Sequence, residues 1–303
     1  MTRAIVIVNP FSGRGRYEAQ IRAHAALATT LLASYEIDAT IRPTEGPGDA
    51  NRFAREAADA GVDLVIAWGG DGTINEVACA LVQTSIPLGI VPAGSGNGLA
   101  CDLGLPFDPT AALTIAATGA NFTMDAGRVQ SSIFFNIAGI GVDAIIAARF
   151  AERGLRRRGP LGYLQLGVAE LMRYRAQTYA FSIEHERYEH RAMLIAIANG
   201  RQYGNRVQIA PGARLDDGLL ELVIVEQLST LSIALRLPSL FRGTLKPGRG
   251  ITMRAVRELT VRAEAAIPFH VDGEPRLGEA ELTVSTLPGA LLVRVPQAIA
   301  RPR

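Results

Sequence analysis

The sequence predicts an α/β domain with a parallel sheet, followed by a second domain built mainly from β-strands. Over roughly the first 125 residues, short apolar runs alternate with amphipathic stretches, the pattern of strand–helix–strand units. Beyond about Asp125, strand-like segments and turn residues dominate, with only a few convincing helices. The length of 303 residues also favours two hydrophobic cores over one.

The elements of the α/β domain follow in chain order. Apolar runs of strand length predict four parallel strands, which are Ala4–Val8, Ile37–Arg42, Asp63–Ala67 and Pro87–Val91. Helices are predicted up to about Ala33, over Gly48–Ala60 and over Thr73–Val82. Glycine-rich polar turns follow three of these strands. Because ligands of open α/β sheets bind at the carboxyl ends of the strands, these turns mark the expected site.

In the second half, alternating apolar segments predict strands that pair antiparallel. These segments are Ile133–Ile137, Thr178–Glu184, Tyr188–Ala198, Arg206–Ile209, Leu219–Val225 and Arg257–Arg262. Helices are predicted over Asp143–Arg153, Leu161–Tyr174 and Leu228–Leu237.

Composition excludes several classes of protein. The formal net charge is only +2, so nothing in it supports a nucleic-acid partner. Lys246 is the single lysine, so the chain has no Walker-type phosphate loop, and phosphate must be held by backbone amides, arginine and metal. Two cysteines, Cys79 and Cys101, are too few for a disulfide framework or a zinc site. With no signal peptide and no run near the roughly 18 apolar residues that span a bilayer, a cytoplasmic location is expected.

The run Gly69-Gly-Asp-Gly-Thr73 carries the strongest functional signal, since it follows a strand and opens a helix. Glycines let backbone amides approach an anion closely, and the helix N-terminus adds partial positive charge. A carboxylate beside phosphate, here Asp71, is repelled unless a divalent cation or a reacting proton is present. The run therefore points to chemistry on a Mg²⁺-bound nucleotide.

Two further turns, Asn9-Pro-Phe-Ser-Gly13 and Gly94-Ser-Gly-Asn97, follow the first and fourth strands. Each alone is equally well an ordinary turn or a helix cap. Their recurrence at corresponding places in one domain favours a shared role in binding phosphate.

Three acidic motifs of the second half each allow a structural and a functional interpretation. Asp217-Gly218 is a hairpin signal that could also hold a hard cation. Strand alternation would place His270 and Asp272 on one face, with Glu274 at an Asp-Gly turn, so Asp272 is either a turn residue or a general base. Asp143 is either the N-cap of a helix or a group that holds a polar head group.

A basic run follows the Asp143 motif and leads into Gly159-Pro-Leu-Gly-Tyr-Leu. Arginines stand at positions 149, 153, 156, 157 and 158. Such a run is usually a solvated face, but beside apolar residues it would also suit anionic lipid head groups.

Together these residues resemble the diacylglycerol kinase catalytic family, which includes bacterial lipid kinases, sphingosine kinases and ceramide kinases. Gly-Gly-Asp-Gly-Thr alone is shared with NAD kinases and phosphofructokinases, whereas the full series in family order is specific. The matching positions are Asn9-Pro-x-Ser12-Gly13, Thr44, Gly69-Gly-Asp-Gly-Thr73, Gly94-Ser-Gly-Asn97, Asp125-x-Gly127, Gly139-x-Gly-x-Asp143-Ala144, Asp216-Asp-Gly218 and Asp272-Gly-Glu274.

The resemblance implies a doubly wound α/β nucleotide-binding domain of residues 1–127 and 288–303. Residues 128–287 would form a β-sandwich-like lipid-substrate domain, with the active site in the cleft between the two. It implies ATP and Mg²⁺ as cofactors, a lipid alcohol as the acceptor, and transient contact with a membrane surface. A homodimer is left open.

The resemblance also assigns residues. Nucleotide-binding positions would be Asn9, Ser12, Gly13, Thr44, Gly69, Gly70, Asp71, Gly72, Thr73, Asn75, Gly94, Ser95 and Asn97. In bacterial lipid kinases the proposed base is the aspartate of Asp-Gly-Glu, here Asp272 with Glu274 nearby; in sphingosine kinases it is instead the position of Asp71. A structural Mg²⁺ would lie on the carbonyls of Arg214 and Leu219 and the carboxylate of Asp217.

One departure from the family bears on the substrate. Bacterial diacylglycerol kinases usually carry an acid where this chain has Gly98, so metal organisation would rest more on Asp71 and Asp125. Gly94-Ser-Gly-Asn97 looks more like sphingosine kinases, in which the position of Asp143 grips the sphingoid head group. We therefore expect an ATP- and Mg²⁺-dependent lipid kinase. The alternatives are an NAD-kinase-like enzyme with a soluble substrate and a regulator that binds lipid or nucleotide without catalysis.

Overall fold

The computed structural model describes residues 1–10, 17–152, 167, 169–204 and 206–300. The chain divides into two compact units: Met1–Met124 with Gly289–Arg303, and Asp125–Pro288. We call them the first and second units.

The first unit is built on a parallel sheet in the order β2-β1-β3-β4-β15. The strands are β1 (Thr2–Val8), β2 (Ile37–Pro43), β3 (Leu64–Gly69), β4 (Leu88–Pro92) and the end of β15 (Glu281–Val295). The helices are α1 (Tyr17–Ala33), α2 (Asp49–Asp59), α3 (Asp71–Leu81), α4 (Gly98–Asp102) and α5 (Pro109–Thr118).

Helices cover both faces of this sheet. On one face α1 and α5 share a core with alternate strand residues such as Val6, Ile66 and Val91. On the other face α2 packs against α3, and strand alternation turns the buried Ile7 and Val65 toward that side. The predicted parallel α/β fold is confirmed.

The second unit is antiparallel, and its long strand β9 (Glu186–Ala198) belongs to two sheets. The first half of β9 pairs with β8, and the second half pairs with β7 and β10. One sheet therefore runs β11-β10-β9-β7-β13-β14, and the other runs β9-β8-β12-β15. One core cluster takes side chains from both sheets, which confirms the sandwich-like arrangement.

The remaining strands are β5 (Ala120–Val129), β6 (Ser132–Phe134), β7 (Ile137–Gly141), β8 (Gln177–Ile183), β10 (Leu220–Glu226), β11 (Ile251–Val256), β12 (Glu258–Arg262), β13 (Pro268–Val271) and β14 (Glu274–Leu277). Helices α6 (Val142–Glu152) and α7 (Thr230–Arg242) lie between strands of this unit. No helix within the described ranges is both long and apolar enough to cross a bilayer.

Two predicted strands are wrong. Ile133–Ile137 is broken at Phe135 and Asn136, because the amides there bond a distant carboxylate instead of a neighbouring strand. Arg206–Ile209 forms only the single bridge between Gln202 and Gln208. Of the predicted helix 161–174, residues 167 and 169–173 are helical, and 161–166 and 168 lie outside the described residues.

Candidate functional site

The carboxyl ends of β1 and β3 are joined by backbone and side-chain hydrogen bonds of Asn9. The amide nitrogen of Asn9 donates to the carbonyl of Trp68 at 2.8 Å, and Nδ2 of Asn9 donates to Oγ1 of Thr73 at 2.9 Å. A Cβ at Gly69 would lie 2.6 Å from Cβ and Oγ1 of Thr73, so this turn closes only around glycine. Asn9, Gly69 and Thr73 thus lie together, as their positions at strand ends predict.

The β3–α3 turn also touches the loop after β4. A Cβ at Gly94 would lie 2.7 Å from Cα of Gly70, so the two backbones are in direct contact. Glycine at both positions removes the side chains that would separate them. The glycines of two predicted phosphate turns therefore form one continuous backbone surface beside the N-terminus of α3, which is suited to an anion.

The carboxylate of Asp71 stabilises this surface by two hydrogen bonds. Its Oδ2 accepts the amide of Asn97 at 2.8 Å, and its Oδ1 accepts the amide of Gly98 at 2.9 Å. The carboxylate therefore ties the start of α3 to the start of α4. At Gly98, the position that departs from the family, the backbone amide is one of these two donors to Asp71.

Asn97 holds its own loop closed. It adopts a left-handed backbone with φ 51°, its Oδ1 accepts the amide of Gly94 at 2.9 Å, and its Nδ2 donates to the carbonyl of Gly94 at 2.8 Å. The side chain is buried. Ser95, between these two residues, is exposed at the tip of the loop.

The other predicted nucleotide positions are placed as follows. Thr44 is buried at the end of β2, and its amide donates to the carbonyl of Val8. Asn75 lies one turn into α3, where its Oδ1 accepts from Sγ of Cys79 at 3.5 Å. Gly72 lies within α3, whereas Ser12 and Gly13 lie outside the described residues.

His24, which the sequence analysis did not single out, lies next to the end of β3. His24 of α1 stacks on Trp68, with 4.1 Å between the ring centroids, and Trp68 directly precedes Gly69. Within the described part of the chain, Nδ1 of His24 is buried without a hydrogen-bond partner. Desolvation by burial lowers the pKa of His24. The spacing of α1 marked its apolar neighbours and gave no signal for this residue.

In the second unit, Asp272 lies in a two-residue hairpin turn between β13 and β14. Its φ is 48° and that of Gly273 is 86°, the positive pair that a type I′ turn requires. The carboxylate accepts the amides of Phe135, Asn136 and Ile137 at 2.9–3.0 Å. The turn interpretation is therefore correct, and the same residue also presents a carboxylate fixed by three donors.

Asp272 lies in the turn after β13, so strand alternation does not set the direction of its side chain. His270, still within β13, instead reaches Asp143: Nε2 and Oδ2 are 3.0 Å apart. Oδ2 also accepts from the hydroxyl of Tyr203 at 2.7 Å. The N-cap interpretation of Asp143 is wrong, because α6 begins at Val142 and the carboxylate contacts these two side chains. Glu274 begins β14 opposite Val271.

The predicted metal residues lie in and beside the turn before β10. Oδ2 of Asp125 accepts the amide of Gly218 at 2.6 Å, and Oδ1 of Asp217 accepts the amide of Leu219 at 3.0 Å. The turn does not join two strands, because the chain before it is irregular, so the hairpin-only interpretation is wrong. Among the described residues no three His, Cys, Asp or Glu side chains are grouped to hold a metal. The carboxylate of Asp217 is exposed, and carboxylate and carbonyl oxygens are the ligands that Mg²⁺ prefers.

Of the basic run, only Arg149 lies within the described residues, and it forms an ion pair with Glu170, which is itself buried. The arginines at 153 and 156–158 lie outside them.

Comparisons with known proteins cover almost the whole chain. The family described as Diacylglycerol kinase catalytic domain matches residues 3–129, and the family described as YegS C-terminal NAD kinase beta sandwich-like domain matches residues 136–295. A protein named Probable lipid kinase YegS-like from Klebsiella pneumoniae (strain 342) is 34% identical over 300 residues, which cover 97% of this chain and 96% of that protein.

A second protein of that name, from Chromohalobacter salexigens, is 35% identical over 266 residues, covering 86% of this chain and 85% of that protein. The crystal structure of a diacylglycerol kinase from Bacillus anthracis str. Sterne superposes with a TM-score of 0.75 and 20% identity, covering 98% of each chain. At that identity the likeness concerns the fold.

Proposed function

Since this chain belongs to the diacylglycerol kinase catalytic family, as a YegS-like lipid kinase, we propose that it transfers the terminal phosphate of ATP to the hydroxyl of a lipid alcohol. The backbone contact between Gly70 and Gly94 carries the nucleotide part of this proposal. It places two glycine turns and a helix N-terminus side by side in a domain without a phosphate-loop lysine.

In this proposal the first unit binds the phosphates mainly through its backbone. The amides of the β3–α3 turn at Gly70 and of the first turn of α3 supply donors, since the amide of Gly94 is taken by Asn97. Asn9 with Thr73 fixes the ends of β1 and β3 around them. Phosphoryl transfer depends on positioning and charge neutralisation, so rigid donors contribute directly to the rate. Asp71 maintains this arrangement through Asn97 and Gly98, and we assign it to the Mg²⁺ at the phosphates.

Mg²⁺ when bound would supply positive charge that offsets the negative phosphates. We assign a structural Mg²⁺ to the Asp217 carboxylate with the carbonyls of Arg214 and Leu219. Asp125 would hold that turn in place through the amide of Gly218.

The second unit supplies the base in this proposal. Three amide donors fix the orientation of the Asp272 carboxylate, and we assign this oriented carboxylate to accept the proton of the acceptor hydroxyl. Asp143 is assigned to supporting this turn through His270, because Oδ2 of Asp143 is taken by His270 and Tyr203. Glu274 lies beside the base at the start of β14.

The test is transfer of radiolabelled phosphate from ATP to a panel of diacylglycerol, sphingoid bases, ceramides and other long-chain alcohols, with NAD as a soluble acceptor. Labelled lipid is expected for at least one alcohol and none for NAD. Asp272→Asn and Asp71→Asn should each lower kcat by about 100-fold or more, while Asp59→Asn, an exposed acid at the end of α2, should not.

Two outcomes would contradict the proposal. Labelled NAD without labelled lipid would assign the chain to a soluble-substrate kinase. ATP binding without turnover on any acceptor would make it a regulator that has lost catalysis. Full activity in both aspartate variants would refute the residue assignments alone.

A further inference from the structure

Helix α7 carries an apolar stripe on its solvent-exposed side. None of its residues is buried, and Leu231 and Leu235 are 70% and 71% exposed. Ala234, Pro238 and Phe241 are exposed as well. The five residues stand at i, i+3, i+4, i+7 and i+10, which places them on one side of the helix. A surface helix normally turns polar residues toward water, whereas this side of α7 presents apolar ones.

The opposite side of α7 is anchored to the second unit. Leu240 packs against a core cluster that includes Ile209 and Leu245, and its carbonyl accepts the amide of Gln208 at 2.9 Å. The guanidinium of Arg236 donates to the carbonyl of Arg249 at 3.1 Å. The helix is therefore held with its apolar stripe outward.

The charged residues of the chain segment that carries this stripe all have one sign. Between residues 227 and 250 the charged residues are Arg236, Arg242, Lys246 and Arg249, and this segment contains no acid. The last three are exposed. The whole chain has a net charge of only +2, so four positive charges on 24 residues are a local concentration. An apolar stripe bordered by basic residues is typical of helices that lie in the interface of anionic membranes.

We propose that this surface docks the protein on an anionic lipid bilayer. The docking surface consists of Leu231, Ala234, Leu235, Pro238 and Phe241 with Arg242, Lys246 and Arg249. The apolar side chains would enter the boundary of the acyl chains, and the basic ones would contact lipid phosphates. The choice of a bilayer rests on the proposed function, because a long-chain lipid alcohol resides in a membrane.

Charge argues against a second copy as the occupant. A two-fold interface places the same patch on both subunits, so the basic border would face itself. Like charges brought together in this way oppose association. An anionic bilayer has the complementary charge.

The docking test is co-sedimentation of the full chain with vesicles, without ATP. Phosphatidylcholine vesicles containing phosphatidylglycerol should bind the wild type, and pure phosphatidylcholine vesicles should bind it more weakly. The double variant Leu231→Gln, Leu235→Gln should weaken binding at least about tenfold, and Lys246→Gln about fivefold. Leu277→Gln is the matched control, because Leu277 is 74% exposed on β14 and outside the stripe.

Equal vesicle binding by the double variant and the wild type would overturn the proposal. So would a wild-type dimer in sedimentation equilibrium that the double variant dissociates, because the stripe would then belong to a second copy. Phosphorylation of a short-chain, water-soluble lipid alcohol should be unchanged in the double variant. That assay tests the kinase activity apart from docking, while the vesicle assay involves no turnover, so either can fail alone.

Discussion

Nε2 of His270 lies 3.0 Å from Oδ2 of Asp143, and the two side chains are only 3% and 6% exposed. On the other side of the ring, Nδ1 accepts the amide of Gly273 at 3.2 Å. An imidazole nitrogen that accepts carries no proton, so this hydrogen-bond pattern assigns the proton to Nε2. His270 thus connects the buried Asp143 to the turn that presents Asp272.

This connection predicts opposite effects for two amide substitutions of His270. His270→Asn keeps an oxygen near the position of Nδ1, so it still accepts the amide of Gly273. His270→Gln places the side-chain amide near the position of Nε2, so the backbone amide of Gly273 loses its acceptor. If His270 positions the turn, kcat should stay within about threefold in the Asn variant and fall about 10- to 100-fold in the Gln variant.

The comparison requires steady-state kinetics together with thermal unfolding of both variants. The Michaelis constant for ATP should not change in either. Equal kcat values in the two variants, at equal stability, would mean that His270 contributes only to packing.

Gly139 is predicted not to tolerate alanine. A Cβ there would overlap Oδ2 of Asp143 and Nε2 of His270, the two atoms of the buried contact. We expect Gly139→Ala to lower the free energy of unfolding by about 1–3 kcal/mol in urea titrations. Gly212→Ala is the control, since a Cβ at Gly212 meets nothing within 4 Å, and it should change stability by less than about 0.5 kcal/mol.

A double-mutant cycle separates the overlap from other causes. In a His270→Ala background the added methyl group gains room, so Gly139→Ala should cost clearly less than in the wild type. An unchanged cost in both backgrounds would assign the loss to the overlap with Asp143 or to the backbone of Gly139, and not to His270.

The proposed structural Mg²⁺ predicts a stability effect that needs no activity assay. Mg²⁺ at a hundredfold excess over its Kd should stabilise the wild type by about 2.7 kcal/mol. The unfolding temperature should therefore be higher in Mg²⁺ than in EDTA. Asp217→Asn should abolish the increase. Asp216→Asn, which alters the neighbouring carboxylate paired with Arg214, should retain it. The same increase in both variants would exclude Asp217 as a ligand.

The two Asp-Gly pairs show how far local sequence could predict this protein. Both are turn signals, yet Asp272-Gly273 forms a hairpin and Asp217-Gly218 does not. The difference comes from distant partners. The carboxylate of Asp272 binds amides 135–137 positions earlier in the chain, and the turn at Gly218 is held by Asp125. Contacts between residues so far apart in the chain cannot be predicted from the spacing of neighbouring residues.

The parallel sheet was predictable for the opposite reason. Each of its first four strands is a short apolar run with a turn at its end, so β1 and β3 are visible in the local pattern. By contrast, the predicted strand Ile133–Ile137 ran across the gap between β6 and β7, because the break at Phe135 depends on Asp272. Helix α5 was missed although its Asp108 cap, followed by Pro109, is a local signal.

His24 predicts a pH dependence of stability in the first unit. Burial lowers its pKa below 6.5, so the folded state resists protonation that the unfolded state accepts. The free energy of unfolding therefore has its full value, as far as His24 is concerned, above about pH 6.5. It decreases as the pH falls below that value, where the unfolded state binds more protons. Because His24 is only half-buried, the loss should be a fraction of the about 1.4 kcal/mol that one pKa unit represents.

His24→Phe tests this, because phenylalanine can keep the stack on Trp68 without a titrating group. Urea titrations of both proteins from about pH 8 to about pH 5 give the difference in the free energy of unfolding at each pH. The other histidines are common to both proteins and cancel in that difference. The variant should gain stability relative to the wild type as the pH falls through about 6.5, and a constant difference would show that His24 titrates alike in both states.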